Sequence, residues 1–587
     1  MNFSALIKQH CAIALEKTYP AHSTLDSSLL EVTESTQEKF GHYQLNSAMK
    51  LAKQMGVPPR TVAEALVSSL QHLPESKDYF QLIEIAGPGF INFSLNPRFI
   101  EKTLSAQMND PKLGVEPPAK SLKVIVDFSS PNIAKEMHVG HLRSTIIGDC
   151  LSKILSFLGH DVLRLNHVGD WGTQFGMLIA YLKITIPSLG ESNAPSLQLN
   201  ELVTHYQAAK KRFDEDPNFK QSAQLEVVAL QSGGEKERRI WQNICQISRD
   251  AYQVIYDLLD VHLVERGESF YNPLLAPVIA TLAQTGLITL SEGAKCIFLE
   301  GFTNREGEML PLILQKSDGG YNYATTDLAA LQHRIQVEQG DWLIYVTDAG
   351  QSLHFQMLFA AGEKAHFYDP KTVRLDHVSF GLVLKPDGKK FQTRTGKTER
   401  LIDLIHAAIQ LSEQKLAEHN PTISADELHT SAKILGVNAI KYADLSAHRL
   451  SDYVFSHEKM LKFEGNTAAF LLYAYVRIRS IQRKIPVDMA TLTAQKITMT
   501  LEEPIEISLA VLTCQFSEVL ENAARELLPN RLSDYLYRLA EKFHVFFHQC
   551  RVEGSPQQMS RLLLCEAVAQ TLSQGMQLLG LKPLEKM

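Results

Sequence analysis

A strand, a loop and a helix that follow one another constrain the fold of this chain more than any other stretch. The apolar run at 123–128 predicts a buried strand, and helical periodicity continues over 142–158. Between them, His138 and His141 are three residues apart and therefore lie on one side of the first helical turn. Gly140 lets another group approach the backbone closely. Backbone N–H groups and the positive end of the helix dipole meet here, so the pattern predicts a phosphate site.

The strand–helix pattern repeats after this stretch. A second strand is predicted over 160–167, and a glycine-containing turn leads into a helix from Gln174. Such alternation predicts a parallel sheet whose ligand crevice lies at the carboxyl ends of the strands. We expect this α/β domain to span 119–400, with an insertion of charged helices at about 185–275. Strand-like runs return at 296–299, 310–315 and 343–346.

Both ends of the chain follow other patterns. Residues 1–118 predict an α+β domain, in which helices precede two short strands around a Gly-Pro-Gly turn at 87–89. The helices are expected at 3–16, 43–55 and 61–70. Residues 401–462 predict a helical stem, and residues 463–587 predict an all-α domain.

Composition excludes several classes of protein. The chain has 587 residues and a net charge of −7. This charge argues against electrostatic binding of nucleic acid by the whole surface, although it is compatible with local basic patches. Its seven cysteines lack C-x-x-C spacing, which predicts free thiols in a reducing cytosol and no structural zinc or other bound metal. No apolar run reaches the roughly 18 residues of a transmembrane helix, and the first residues lack a signal-peptide core. We therefore expect a cytoplasmic protein without membrane contact.

Polar side chains near the ends of predicted strands are candidates for the crevice. Asp127 ends the first strand, and Gln351 follows the strand predicted over 342–346. Tyr323 and Asp327 lie four residues apart, and Asp327 falls in the first turn of the next helix if that helix begins at 325 or 326. A carboxylate there is either a partner of the helix dipole or an acceptor of two parallel hydrogen bonds from a guanidinium. The residues alone leave both alternatives open.

Basic side chains and imidazoles supply positive charge or hydrogen-bond donors. His138 and His141 are either helix-cap histidines or imidazoles that donate to phosphate oxygens in a transition state. Lys135, one turn earlier, is either a solvated lysine or a point charge for the same phosphates. Residues 385–398 predict a basic, hydroxyl-rich loop, which beside a phosphate-binding helix would act as a lid over a triphosphate.

The C-terminal helices interleave aromatic and basic residues. Tyr473 and Arg477 belong to this series, which continues to Phe543. Most of these rings are expected in the core. Their alternation with arginine and lysine also suits a surface on which unstacked RNA bases meet rings and guanidinium planes.

Several strings in the chain resemble one enzyme family. Residues 131–141, which end in His-Val-Gly-His, resemble the HIGH signature of class I aminoacyl-tRNA synthetases, and residues 391–396 resemble a degenerate KMSKS loop. Longer strings at 130–138, 166–176, 441–446 and 463–467 resemble the bacterial arginyl-tRNA synthetases. The similarity extends along nearly the whole chain.

The resemblance implies a fold and an activity. The fold would be a Rossmann-type class I catalytic core with an N-terminal α+β domain that binds the tRNA elbow and an all-α C-terminal anticodon-binding domain. The activity would be that of an arginine–tRNA ligase, whose partners would be L-arginine, ATP with Mg²⁺, and tRNA(Arg). Family members need the bound tRNA even for the formation of arginyl-adenylate, and they are expected to be monomers.

The resemblance also implies site residues. Five would bind arginine: Asp127, Asn132, Tyr323, Asp327 and Gln351. Those implied for ATP are His138, Gly140, His141, Thr393 and Arg394. The implied catalytic residues are His138, His141, Lys135 and Arg394, and the implied tRNA contacts are Asn92, Tyr473 and Arg477. Asp327 is the favoured partner of the guanidinium, although the choice between the acids stays open.

One departure from the family signature shifts the expected roles. Phe391 and Arg394 stand where KMSKS has its two lysines, so Lys135 is expected to share the neutralisation of phosphate. The alternatives are a class I synthetase for another amino acid, such as cysteine or glutamine, and a catalytically silent tRNA-binding paralogue. A dinucleotide oxidoreductase is disfavoured because no G-x-G-x-x-G follows a strand.

Overall fold

The structure is a computed structural model that describes most of the chain. The described residues are 2–20, 29–191, 197–389, 391, 399–485, 487 and 499–586. Helices and strands within these ranges are numbered in chain order. No helix among them is long and apolar enough to cross a membrane.

The N-terminal region combines helices with a four-stranded antiparallel sheet in the order β1-β2-β4-β3. Its elements are α1 (Phe3–Thr18), β1 (Val32–Glu34), β2 (Tyr43–Leu45), α2 (Ala48–Met55), α3 (Pro59–Gln71), α4 (Ser76–Tyr79), β3 (Phe80–Ala86), β4 (Phe90–Leu95) and α5 (Pro97–Met108). The two strands predicted around the Gly-Pro-Gly turn are confirmed as β3 and β4. The helix predicted over 43–55 is wrong in its first part, because Tyr43 and Leu45 alternate as buried residues of a strand paired with β4.

A five-stranded parallel sheet lies at the centre of the chain, in the order β12-β11-β5-β6-β7. Its strands are β5 (Lys123–Asp127), β6 (Asp161–Asn166), β7 (Val264–Glu265), β11 (Trp342–Tyr345) and β12 (Arg374–His377). Tyr345, Asp127 and Leu165 lie side by side in register, so three strands present their carboxyl ends at one edge. The predicted crossover helices are confirmed as α6 (Val139–Leu158) and α7 (Thr173–Thr185).

Further elements surround this sheet. The charged helices predicted after α7 are α8 (Leu199–Glu215), α9 (Pro217–Gln231) and α10 (Glu235–Leu259). They are followed by α11 (Asn272–Gln284), β8 (Thr289–Ser291), β9 (Ala294–Thr303), β10 (Met309–Gln315), α12 (Tyr323–Gln336), α13 (Ser352–Lys364) and β13 (Val383–Leu384). The strands expected at 296–299 and 310–315 form a separate antiparallel sheet, β10-β9-β8, rather than extending the parallel one.

The C-terminal part is mostly helical. Its elements are α14 (Leu401–His419), α15 (Ala425–Leu445), β14 (Tyr453–Val454), α16 (His457–Met460), α17 (Ala468–Lys484), α18 (Pro504–Cys514), α19 (Phe516–Glu526), α20 (Asn530–Gln549) and α21 (Gln558–Leu578). The short strand β14 interrupts the expected helical stem because its backbone pairs with β13 beside the crevice. Buried apolar residues form one continuous cluster from α1 to α21, and a second cluster packs around α11, α12 and α13.

Candidate active site

The carboxyl ends of the central strands open into a cavity of about 830 Å³. Most of the predicted substrate-binding residues line it: Asp127, Asn132, His138, Gly140, His141, Tyr323, Asp327 and Gln351. His167, Glu268, His354, Phe380 and Phe391 line it as well. Thr393 and Arg394 lie outside the described residues. The structure therefore brings together residues that lie between positions 127 and 391 of the sequence.

The two histidines cap the helix that they begin. His138 is the N-cap of α6, and its Nδ1 accepts the N–H of Gly140 at 3.1 Å. Nδ1 of His141 in turn accepts the N–H of His138 at 3.0 Å, and the two ring centroids are 4.0 Å apart. A neutral imidazole that accepts at Nδ1 carries its proton on Nε2, so each ring keeps one N–H to donate. The expectation of free backbone N–H groups for a phosphate is wrong for His138 and Gly140, because an imidazole nitrogen accepts each of these two groups.

Gly140 is needed for this capping arrangement. A Cβ atom at this position would lie 2.9 Å from Cε1 of His138. The group that approaches the Gly140 backbone closely is therefore the imidazole of the neighbouring histidine. A larger residue would displace the His138 ring from its cap.

Burial keeps both histidines uncharged. Burial, together with the charges of His138 and Lys135, lowers the pKa of His141 to about 3. Burial and then Lys135 also lower the pKa of His138. At neutral pH the pair therefore consists of neutral N–H donors rather than cations.

Lys135 lies at the edge of this arrangement. Its side chain is exposed and is not among the residues that line the cavity. Its charge nevertheless acts on the pKa of both histidines, which places the ammonium group near them. The expected role of Lys135 beside the phosphates stays a prediction.

Asp127 is engaged by a buried arginine of the protein itself. Its Oδ2 lies 2.8 Å from Nη2 of Arg334, and its Oδ1 accepts the hydroxyl of Ser130 at 2.9 Å. Burial alone would lower the pKa of Arg334, but Asp127, Tyr271 and Tyr345 together raise this pKa well above its ordinary value. Asp127 is thus neutralised from inside the protein and cannot offer both oxygens to the guanidinium of a ligand.

Asp327 occupies a different environment from the one expected. Its helix, α12, begins at Tyr323 because the side chain of Asn322 caps it, so Asp327 lies in the second turn. An interaction with the helix dipole weakens beyond the first turn, which removes the main alternative to a ligand-binding role. Oδ2 of Asp327 accepts Nε2–H of His354 at 2.7 Å, and the Tyr323 ring lies 4.9 Å from the His354 ring.

Glu268 is a cavity residue that the sequence patterns did not reveal. It follows β7, a strand of only two residues whose short run carries no periodic signal. Burial, together with the charges of Asp327 and Asp170, raises the pKa of Glu268 to about 8. Glu268 and Asp327 thus form an acidic end of the cavity.

The cavity wall also includes the loop that leads into β13 and Phe391, the residue that stands in place of a lysine. Phe380, Gly381, Leu382 and Val383 all contribute to the cavity wall. Phe391 is 9% exposed and packs edge-on against Phe455, with 5.7 Å between ring centroids. The ammonium of Lys385 lies 5.5 Å from the centroid of the Phe391 ring. Phe391 is therefore an apolar anchor, which a lysine could not be.

The predicted tRNA contacts are not among the residues that line this cavity. The guanidinium of Arg477 lies 4.4 Å from the centroid of the Tyr473 ring and 4.7 Å from that of Phe547. Asn92 is only 6% exposed, and its amide oxygen accepts the side chain of Gln44 at 2.7 Å. Little of Asn92 is open to a ligand, because it sits on a paired strand of the N-terminal sheet.

Three family models match this chain. The model for the catalytic domain of tRNA synthetases class I (R) matches residues 103–457. The model for the arginyl tRNA synthetase N terminal domain matches residues 5–95, and the DALR anticodon binding domain matches residues 471–587.

Individual relatives match along nearly the full length. The chain is 56% identical to an arginine–tRNA ligase of Protochlamydia amoebophila, over 98% of each chain. It is 53% identical to one of Thermosynechococcus vestitus, over 94% of each. The crystal structure of arginyl-tRNA synthetase from Plasmodium falciparum superposes with a TM-score of 0.87 at 34% identity and covers 100% of both chains. The chain therefore belongs to the arginyl-tRNA synthetase family of class I aminoacyl-tRNA synthetases.

Proposed function

We propose how the cavity carries out the arginine–tRNA ligase reaction. One observation supports the scheme: an acidic end and a pair of neutral imidazole donors share one cavity. L-arginine would bind at the acidic end and ATP at the imidazole end, which directs the α-carboxylate towards the α-phosphate. Arginyl-adenylate and pyrophosphate form first, and the arginyl group then passes to the terminal adenosine of tRNA(Arg).

The acidic end suits a guanidinium. Asp327 and Glu268 provide carboxylate oxygens, and the Tyr323 hydroxyl adds a further acceptor at the entrance, where the residue is 61% exposed. A planar group with five donors can satisfy two carboxylates at once, whereas an ammonium of lysine would leave this fork geometry unmatched. The cavity residues Asp127, Asn132 and Gln351 would bind the α-ammonium and α-carboxylate end of arginine.

The imidazole end suits the phosphates of ATP. His138 and His141 would donate their Nε2–H groups to phosphate oxygens, where negative charge grows as pyrophosphate departs. Gly140 would keep the rings in place, Lys135 would add positive charge from the edge of the cavity, and Thr393 and Arg394 would complete the site. ATP would bind as its Mg²⁺ complex.

The remaining parts of the chain would bind tRNA(Arg). We assign binding of the tRNA elbow to residues 1–118 and binding of the anticodon to residues 463–587. Residues 119–400, with the insertion at about 185–275, would form the catalytic domain, and residues 401–462 would form a connecting stem. Tyr473 and Arg477 would stack on unpaired anticodon bases. Asn92 would contribute from the elbow-binding domain. The enzyme would act as a monomer in the cytoplasm.

The amino-acid specificity is tested by ATP–pyrophosphate exchange with each of the common amino acids, with and without tRNA(Arg). We expect exchange with arginine alone, and only when the tRNA is present. Lysine is the most informative competitor, since it carries the same charge without the planar fork. Exchange supported by another amino acid would contradict the assignment of the acidic end.

A further inference from the structure

The loop between β5 and α6 has an unusual backbone. Ser129, Ser130 and Ala134 adopt positive φ angles of 71°, 47° and 60°. Residues with a Cβ atom rarely occupy this left-handed region, so the loop persists only if its surroundings hold it there. Asn132 and Lys135 lie within or next to this segment, and the orientation of both depends on it.

One face of α10, a helix of the insertion, holds this loop. Ser248, Tyr252 and Tyr256 are spaced four residues apart and therefore project from the same side of the helix. Oγ of Ser248 accepts the N–H of Ala134 at 3.0 Å. Oη of Tyr256 lies 2.8 Å from Oγ of Ser129. Two of the three strained residues are thus bonded directly to α10.

Tyr252 makes the central contact of this face. Its Oη lies 2.7 Å from the carbonyl oxygen of Asn132 and 2.7 Å from that of Lys135. The side chain is 2% exposed, and burial raises the pKa of Tyr252, so the hydroxyl stays protonated and donates. A single hydroxyl proton shared by two carbonyl groups fixes the distance between the peptide units that carry them.

We propose that Tyr252 is a positioning residue for arginine activation. Its hydroxyl bridges the Asn132 and Lys135 carbonyls and so keeps the left-handed loop in the shape that directs Asn132 to the amino acid and Lys135 to the phosphates. Tyr252 acts only through this loop. The inference rests on the proposed function, because it assigns meaning to the orientation of those two residues.

The substitution Tyr252→Phe isolates the hydroxyl, since phenylalanine keeps the ring and its packing. We expect kcat for arginine-dependent ATP–pyrophosphate exchange to fall by about 10- to 100-fold, because small misplacements of reacting groups have effects of this size. The KM for ATP should stay within about threefold of the wild-type value, since the imidazoles are retained. Tyr368→Phe is the matched control: this hydroxyl donates to the carbonyl of Phe359 at 3.1 Å, away from the loop, and its loss should leave kcat unchanged.

A second substitution separates positioning from general stability. Glycine adopts positive φ with little cost, so Ala134→Gly should make the loop less dependent on the Tyr252 hydroxyl. In the Tyr252→Phe background, Ala134→Gly should restore kcat by about fivefold or more, while in the wild-type background it should change kcat by less than about threefold. Loss of a purely structural contact would not be rescued in this way.

The possible outcomes test the two proposals separately. If the wild-type enzyme shows no arginine-dependent exchange, the proposed function fails. If the wild type is active but Tyr252→Phe matches it in kcat, the positioning role is refuted while the function stands. A loss of kcat that Ala134→Gly does not rescue also refutes the role. Amide hydrogen exchange over 129–138 adds a readout without turnover, and we expect faster exchange in Tyr252→Phe than in Tyr368→Phe.

Discussion

The two ends of the active-site cavity use burial in opposite chemical senses. At the acidic end, burial raises the pKa of Glu268 to about 8. At the other end, burial lowers the pKa of His141 to about 3. Removal from water disfavours the charged form in both cases, so acids gain a proton and imidazoles lose one.

This contrast separates two ways to bind a charged substrate. The acidic end can exchange its proton for the positive charge of arginine, because the arriving guanidinium stabilises the carboxylate form. The imidazole end cannot gain a charge at neutral pH and instead offers fixed N–H donors to phosphate oxygens. The first end should therefore respond to pH, and the second should not.

The largest expected effect comes from the acidic end. Asp327→Ala should raise the KM for arginine by about 100-fold or more, because loss of a charged partner leaves the bound guanidinium unpaired. Binding of tRNA(Arg) should stay near the wild-type level. Asp318→Ala, at an exposed turn residue outside the cavity, provides the control. Unchanged arginine kinetics in Asp327→Ala would show that this residue does not bind arginine and would contradict the proposed difference between the two ends.

At the imidazole end, His138→Asn should lower kcat by about 100-fold, the usual cost of one lost transition-state donor. Asparagine is a good N-cap, so α6 should keep its first turn and the melting temperature should hardly move. The KM for arginine should stay within about threefold of the wild-type value. A matching loss of arginine affinity would show that the ends are not independent.

A smaller effect is expected from Lys135→Ala. Activation should slow by about tenfold with little change in the affinity for ATP, because an exposed lysine would act mainly on charge that develops in the transition state. Single-turnover measurement of adenylate formation, together with equilibrium binding of ATP, separates the two effects. A loss confined to ATP binding would refute the transition-state role.

The most gradual effect is the pH response of the acidic end. Below pH 8 Glu268 is protonated in the empty site, and binding of arginine must release that proton. The Kd for arginine should therefore decrease as pH rises from 6 to 8, by at most about tenfold per pH unit, and level off above 8. In Glu268→Gln this slope should vanish. A slope that persists in Glu268→Gln would assign the proton to another group.

Some local predictions failed for identifiable reasons. The helix expected over 43–55 begins with a strand, since pairing with β4 outweighs the helical pattern around Tyr43. The helix that carries Asp327 begins at Tyr323 because Asn322 caps it, before the start considered at 325 or 326. In both cases a contact or cap at one end decided the boundary.

Reading the sequence was enough to predict β5, α6, the pair His138 and His141 and the family, because these depend on neighbouring residues and on long matching strings. The groups that those residues contact could be identified only from the folded chain. Arg334 neutralises Asp127, Glu268 joins Asp327, and Tyr252 bridges carbonyl groups that lie 120 and 117 residues before it. Such contacts leave no local pattern, since they depend on how distant segments pack around a shared cavity.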